Sequence, residues 1–293
     1  MDLDRDGRRD ILSGSYSRMT NDMAGLFQVL YGKADGTFRK AEVLKGTDGE
    51  PLIIPVKGKP GQGEDWVNNI CTRPFAVDWD GDGHLDLVVG SFPGSFYLFK
   101  GLEGGKFLPR PEEMRAGDRP LKLDGHHGDP FVIDWDGDGD LDILSGSSEG
   151  GVQWSENRAG PGKLPVLEPF RMLIGRGRQI EYGSIIRDAD LKGPLSDTRI
   201  WVDDVNSDGK LDILVGDLTT LLSPADKVAE GEFKQKFADW QKSLMEASGA
   251  MNSGNNDPKK QAEAQERYQK LYSQRSEFMK EDRTGFIWLY LRK

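Results

Sequence analysis

The amino-acid sequence predicts an all-β fold. It reads as a β-propeller with about four blades present, standing alone or as part of a larger ring, with an antiparallel α-helical hairpin inserted in the last blade. Three observations predict it. A nine-residue corner rich in aspartate recurs four times. Each copy runs straight into a short apolar stretch ending in glycine, and three copies are preceded by another apolar stretch. A segment near the C-terminal end carries its apolar residues at helical spacing instead.

The corners occupy residues 2–10 (DLDRDGRRD), 78–86 (DWDGDGHLD), 134–142 (DWDGDGDLD) and 204–212 (DVNSDGKLD). The stretches that follow them are ILSG, LVVG, ILSG and ILVG. The corners start at residues 2, 78, 134 and 204, so successive starts lie 76, 56 and 70 residues apart. That period is too long for a solenoid turn and suits a four-stranded propeller blade. In the first blade, strand B follows the corner, C covers 26–31 and D covers 37–43. The second reads A at 75–77, B at 85–90, C at 95–100 and D near 106–108. The third repeats the four-strand scheme, with A at 131–133, B at 143–144, C at 152–154 and D after them. In the fourth, A is 200–202, B follows the corner, and the last strand C is 286–291. Fourteen strands do not complete four blades. Ring closure by this chain alone is therefore expected to be irregular or to need further blades. Met1 leads directly into a corner, so the natural chain is expected to begin upstream and to carry a secretion signal there.

Bulk composition agrees with many short strands and tight turns: 37 glycines and 15 prolines in 293 residues, with 36% apolar residues to fill a core. No stretch approaches the roughly 20 consecutive apolar residues of a membrane-spanning helix. The formal net charge of −10 argues against a nucleic-acid partner, which calls for basic patches. The single cysteine, Cys71, excludes an internal disulfide and reads as a buried, inert thiol. Something other than disulfides or a zinc-type Cys/His set must order the loops.

The corners supply a candidate. Carboxylates at positions 1, 3, 5 and 9, with glycine at position 6, describe an oxygen cage in which alternate residues of a tight loop point inward. The side-chain ligands are Asp2, Asp4, Asp6 and Asp10 in the first corner and Asp78, Asp80, Asp82 and Asp86 in the second. Asp134, Asp136, Asp138 and Asp142 form the third set, and Asp204, Asn206, Asp208 and Asp212 the fourth. Position 7 adds a backbone carbonyl from Arg8, His84, Asp140 or Lys210. Hard oxygen donors without His or Cys ligands select calcium over zinc. An EF-hand needs a glutamate at position 12, where this chain has Ser13, Val89, Ser145 and Val215. An ordinary Asp/Gly turn accounts for one such corner, less readily for four in matching context. Up to four Ca2+ ions would bring the formal charge from −10 to −2.

This pattern resembles the FG-GAP/VCBS repeats of integrin-α-like propellers over residues 1–222 and the last strand. The resemblance implies calcium bound between strands A and B of a blade. The chain departs from the family pattern in lacking a Phe-Gly…Gly-Ala-Pro segment before each corner, and in having Asn206 at position 3 of the fourth. Such repeats occur in adhesion proteins, lectins and some polysaccharide-degrading enzymes, so the family does not settle the function.

Residues 224–284 read as a helical hairpin between strands B and C of the last blade, leaving 1–223 to the blades and 285–293 to the final strand. Ser223-Pro224 with Asp226 marks a helix start, as does Asp257-Pro258. Phe233, Phe237, Trp240 and Leu244 line one helix; Ala264, Tyr268, Leu271 and Phe278 line the other. Each arm should span about 25 residues, or roughly 35–40 Å. It is expected to pack on itself and the propeller, or to project as an arm for a partner or for self-association.

B–C and D–A connections of a propeller emerge opposite the A–B corners. The long segments 15–25, 46–73, 116–129 and 172–199 therefore share the face away from the calcium, where a protein or glycan ligand is expected. Several other groups are of types that can carry chemistry. His126-His127-Gly128-Asp129 reads as a turn with exposed histidines rather than a catalytic or metal site. Glu181-Tyr182 and Asp188-Ala189-Asp190 could supply the paired carboxylates of a glycosidase. Residues 58–63 (GKPGQG) lack the phosphate-loop spacing. Trp79 and Trp135 should pack between blades or stack on sugar. The leading expectation is a noncatalytic, extracellular or periplasmic binding module, cell-adhesive or carbohydrate-binding. The alternative is a secreted lyase or glycosidase using the same face.

Overall fold

The computed structural model describes residues 1–15, 25–55, 70–177, 181, 183–252 and 258–293. The chain forms two compact units. One comprises residues 1–177, 193–217 and 286–293, and the other residues 178–192 and 218–285.

The first unit is a succession of antiparallel sheets, one per corner. Strands β1 (Ile11–Ser13), β2 (Gln28–Leu30) and β3 (Glu42–Val43) make the first sheet in that order. In the second, β4 (Arg73–Val77), β5 (Asp86–Gly90) and β6 (Phe96–Phe99) are followed by a small hairpin of β7 (Gly101–Leu102) and β8 (Lys106–Phe107). The outer strand is β9 (Glu112–Glu113). Another small hairpin, β10 (Arg115–Ala116) with β11 (Arg119–Pro120), leads to the third sheet. There β12 (Asp129–Ile133), β13 (Asp142–Gly146), β14 (Val152–Ser155) and β15 (Arg171–Ile174) lie in chain order. The fourth sheet begins with β16 (Ser196–Asp203) and β17 (Asp212–Pro224). After it come helices α1 (Glu230–Asn252) and α2 (Pro258–Gln274), then β18 (Met279–Thr284) and β19 (Ile287–Tyr290). Residues 213–216 of β17 pair with β19.

Burial on both faces explains the unbroken apolar runs after the second and third corners. In β5, Leu87 and Val89 pack with Val29, Phe27 and Phe99, whereas Val88 packs with Val132 and Ile143. In β13, Ile143 faces that second cluster, and Leu144 joins Val202, Ile213 and Val215 in a third. β5 and β13 are therefore walls shared by two layers, and alternation of polar with apolar residues would be costly there. The glycines closing the first three runs have a reason too. A Cβ on Gly90 would lie 2.2 Å from the Gly128 carbonyl oxygen, and one on Gly146 would lie 2.2 Å from that of Thr198. Gly128 immediately precedes β12 and Thr198 lies within β16. The first strands also touch one another: Phe75 meets Phe131 at 5.0 Å between ring centroids, and Phe131 meets Trp201 at 5.5 Å. Cys71 is a buried free thiol, as its setting suggested, and burial raises its pKa.

The outer strand of the second sheet corrects the sequence reading. Residues 106–108 were expected there, but Lys106–Phe107 fold back on Gly101–Leu102 because the Gly104-Gly105 pair makes a tight turn with φ of +73° and +68°. Glu112–Glu113 take the edge, pairing with Leu98 and Tyr97. Residues 16–24 and 56–69, which include most of one long connection, half of another and the GKPGQG segment, lie outside the described residues.

In the second unit, residues 219–224 of β17 pair with β18 as a ribbon. Ser223 and Pro224 stand opposite Lys280 and Met279, so the expected helix start is a strand end and α1 begins at Glu230. Glu230 and Glu232 occupy its first turn, where negative charge suits the helix dipole. The core holds Leu222, Phe233, Phe237, Trp240, Phe278 and Met279. Trp240 Nε1 donates to the Leu271 carbonyl at 2.8 Å, tying α1 to α2. The second arm is shorter than expected: 17 residues, about 25 Å. Phe278 lies beyond it, after a 3₁₀ turn at Arg275–Glu277, and reaches the core from there. Asp257 and the loop residues 253–256 lie outside the described residues. No helix among the described residues is long and apolar enough to cross a membrane.

Candidate metal centre

All four corners adopt one conformation. The amide of position 6 donates to the position 1 carboxylate at 2.9 Å (Gly7 to Asp2), 2.8 Å (Gly83 to Asp78), 3.0 Å (Gly139 to Asp134) and 2.9 Å (Gly209 to Asp204). The amide of position 7 donates to the position 5 carboxylate at 2.8–3.1 Å, from Arg8, His84, Asp140 and Lys210. These self-bonded turns curl the chain around its own side-chain oxygens. Positions 4 and 6 are left-handed throughout. The glycines at position 6 have φ of +83°, +85°, +93° and +85°, as the spacing required. Position 4 is glycine in the two central corners, but Arg5 and Ser207 take φ of +59° and +60° in the outer ones. A side chain in that region costs roughly 1 kcal/mol or more, so the corner imposes its shape on whatever residue stands there.

The curl brings carboxylates together. One oxygen each from Asp2, Asp4 and Asp6 lies within 4.8 Å of the others, and the same holds for Asp78, Asp80 and Asp86 and for Asp134, Asp136 and Asp142. In the fourth corner Asp204 and Asn206 both accept the Asp208 amide, at 3.0 and 2.9 Å. Buried atoms Asp78 Oδ1 and Asp140 Oδ1 have no hydrogen-bond partner among the described residues. An orphaned buried carboxylate oxygen calls for a cation or donor. The donor set is all oxygen, so it fits a hard divalent ion.

Position 9 has a role that spacing alone did not reveal. Its carboxylate is buried in every corner and holds two backbone amides. Asp86 accepts Trp79 N at 3.1 Å and Gly101 N at 2.6 Å; Asp142 accepts Trp135 N at 3.0 Å and Asn157 N at 2.7 Å. Asp10 takes Leu3 N and Gly32 N, and Asp212 takes Val205 N and Arg292 N. Each is a clasp between the start of the corner and the chain leaving the third strand.

The electrostatics differ from corner to corner. Burial pushes the Asp142 pKa up to about 6, helped by the nearby Asp136 charge and opposed by its two amides. Asp136 and Asp140 are raised as well, by burial and by neighbouring carboxylates. In the second corner, Lys100 Nζ sits 2.6 Å from Asp80, 2.8 Å from Asp82 and 3.5 Å from Asp86. Burial works against the ammonium, yet those hydrogen bonds hold its pKa above the ordinary lysine value and lower that of Asp82. In the first corner Arg8 pairs with Asp6.

The remaining sequence candidates fall elsewhere. Trp79 and Trp135 are buried, Trp79 in the second cluster and Trp135 in the third. Arg292 lies over the Trp135 ring, 4.8 Å from its centroid. Of the paired histidines only His126 is exposed, where its Nδ1 meets Glu149 at 2.8 Å. His127 is turned inward against Phe92 at a φ of +61°, which corrects the expectation of two exposed rings. Glu181, Asp188 and Asp190 are exposed, the last two in a 3₁₀ turn; Tyr182 lies outside the described residues.

A repeated antiparallel sheet with an aspartate-cage turn between its first two strands defines a class of repeat protein. Residues 78–145 match the model of the FG-GAP-like repeat, so the chain carries an FG-GAP-like repeat from the second corner into β13. No curated protein matches the chain.

Proposed function

We propose that this chain is a calcium-binding β-propeller module, noncatalytic and extracellular or periplasmic, that presents a loop face to a protein or glycan. The observation that carries the reading is the fourfold identity of the corners. Four turns of different sequence share the same left-handed positions and the same hydrogen bond from the position 6 amide to the position 1 carboxylate. In this reading Asp2, Asp4, Asp6, Asp78, Asp80, Asp82, Asp134, Asp136, Asp138, Asp204, Asn206 and Asp208 hold the ions. The position 7 carbonyls and the position 9 aspartates complete the cages. The ion cancels repulsion among clustered carboxylates and so stiffens the turn. A propeller is supported by sheets stacked through shared second strands and by the contact of their first strands through Phe75, Phe131 and Trp201. Calcium at extracellular concentrations fills open sites of this kind, which favours that location.

The ligand face is assigned to the connections opposite the corners, such as that of Phe92 and His126, whose rings lie 5.7 Å apart. Two measurements test the reading. Thermal melts with and without chelator should differ, because an ion bound only by the folded state stabilises it; coincident melts overturn calcium binding. Binding to a panel of glycans and extracellular proteins should fall when His126 is replaced by alanine and the melting point is unchanged. Turnover of a polysaccharide would overturn the noncatalytic assignment.

A further inference from the structure

The second and third corners share the sequence DWDGDG, yet their surroundings differ at one equivalent position. The amides that close the position 9 clasps belong to Gly32, Gly101, Asn157 and Arg292. The residues just before them are therefore Tyr31, Lys100, Glu156 and Leu291. At this position three corners supply no cation, although in the first Arg8 of the turn itself pairs with Asp6. In the second it supplies an ammonium, and the side chain is well enclosed, with 24% of its surface exposed.

We propose that Lys100 is a built-in counter-ion that competes with the metal for the second corner, so that the four cages differ in affinity and the second is the last to fill. The inference rests on the calcium reading above and specifies how it is regulated. An ammonium with three donors, set against Asp80, Asp82 and Asp86, satisfies oxygens that a divalent ion would otherwise take. Metal can enter only when Lys100 swings out. The apparent affinity is then the intrinsic one reduced by the fraction of molecules whose cage is open. The third corner is the opposite case. Glu156 stands at the equivalent place and is held by Arg171 at 2.8 Å and Arg158 at 3.2 Å. Position 7 adds Asp140, with a buried oxygen that has no partner among the described residues. The same six residues thus give one cage closed by its own lysine and one left short of positive charge.

The competition also protects the metal-free protein. With Lys100 in place the second corner keeps its shape without calcium, whereas the third relies on the ion. The second cage is therefore set to respond at higher calcium than the others.

The test is calcium titration of the full chain after chelation, by isothermal calorimetry and native mass spectrometry, with melts in chelator and in saturating calcium. Lys100→Met should tighten one site at least tenfold and leave the others unchanged. It should also lower the melting point in chelator and enlarge the rise that calcium produces. Lys100→Gln, which keeps a polar side chain, should act in the same direction and serves if the methionine variant folds poorly. A purely structural lysine predicts a lower melting point in both conditions with an unchanged calcium increment, and that result overturns the proposal. So does wild-type protein whose sites all fill together with the variant's affinities. If wild-type protein binds no calcium by either method, the calcium reading falls first, and this inference goes with it.

Discussion

Within each corner the aspartates divide into a floor and a rim. On the floor, Asp10, Asp86, Asp142 and Asp212 are buried, and each clasps two backbone amides. On the rim, Asp136 and Asp138 are exposed and accept amides of their own turn, and the likewise exposed Asp80 and Asp82 do so while also holding Lys100. One short motif therefore carries two jobs. The floor ties a turn to a distant part of its sheet whether or not metal is present, and the rim has its main purpose when a cation arrives. The difference teaches that a ligand-type residue in a metal motif can be structural first.

The largest effect should come from the floor. Asp86→Ala leaves the amides of Trp79 and Gly101 without their shared acceptor inside a closed layer. Breaking a buried charged hydrogen-bond pair of this kind costs about 3–5 kcal/mol. The melting point should fall in chelator as well as in calcium. A loss seen only in calcium would reduce Asp86 to a plain metal ligand and erase the division. Rim substitutions should do the reverse. Asp136→Asn with Asp138→Asn removes charge from a crowded turn while keeping the oxygens that receive its amides. The chelator melt should stay or rise slightly, and the calcium increment from that corner should vanish. For one site at a hundredfold excess over its dissociation constant, that increment is about 2.7 kcal/mol.

Acid gives a finer separation. Asp142 is fully buried and has a folded pKa of about 6, above the roughly 3.9 of an unfolded aspartate. The folded state thus holds its proton longer, so this residue stabilises the fold fully below about pH 4, and the contribution is lost as pH climbs through 6. The span is up to about 3 kcal/mol. In chelator, wild-type protein should therefore lose stability between pH 4 and 6 relative to Asp142→Asn, which has no proton to release. Saturating calcium should flatten or invert the trend, since it stabilises the ionised corner. Equal pH profiles for the two proteins in chelator would show that Asp142 is already ionised at pH 4.

How far the sequence could be read follows from the same physics. The corners and second strands were legible because their signals are local: aspartate at alternate positions, glycine where φ must be positive, and an apolar run where both faces are covered. The β9 edge was not, because Glu112 and Glu113 have no strand character of their own and are placed by pairing with Tyr97 and Leu98. The ribbon was missed for a related reason. Thr219 to Pro224 find their partner some sixty residues later, in the charged stretch MKEDRT, while Ser223-Pro224 carries a helix-start signal. Lys100 was unreadable as a counter-ion because its carboxylates lie 14 to 20 residues away and meet it only once β5 and β6 pair. The double amide clasp on the floor needed the same long-range pairing, and spacing suggested only a ligand.

A carboxylate outside the corners supplies the smallest effect and a control on the comparison. Burial works to raise the Glu149 pKa, but the His126 side chain, the Ser148 hydroxyl and the His126 amide outweigh it and bring the value down to about 2. Its pKa is thus depressed on folding, so its contribution is present above the unfolded value near 4.5 and is lost as pH falls toward 2. That is the opposite sign to Asp142. The pair is solvent-facing, His126 having a side chain 55% exposed, so screening limits its worth to a few tenths of a kcal/mol. Glu149→Gln should lower the melting point slightly at pH 7, by the same amount with chelator or calcium, and the difference should close near pH 2–3. A calcium-dependent change at Glu149 would mean that metal binding is felt well beyond the rim, and the division between floor and rim would then describe only part of how the ion acts.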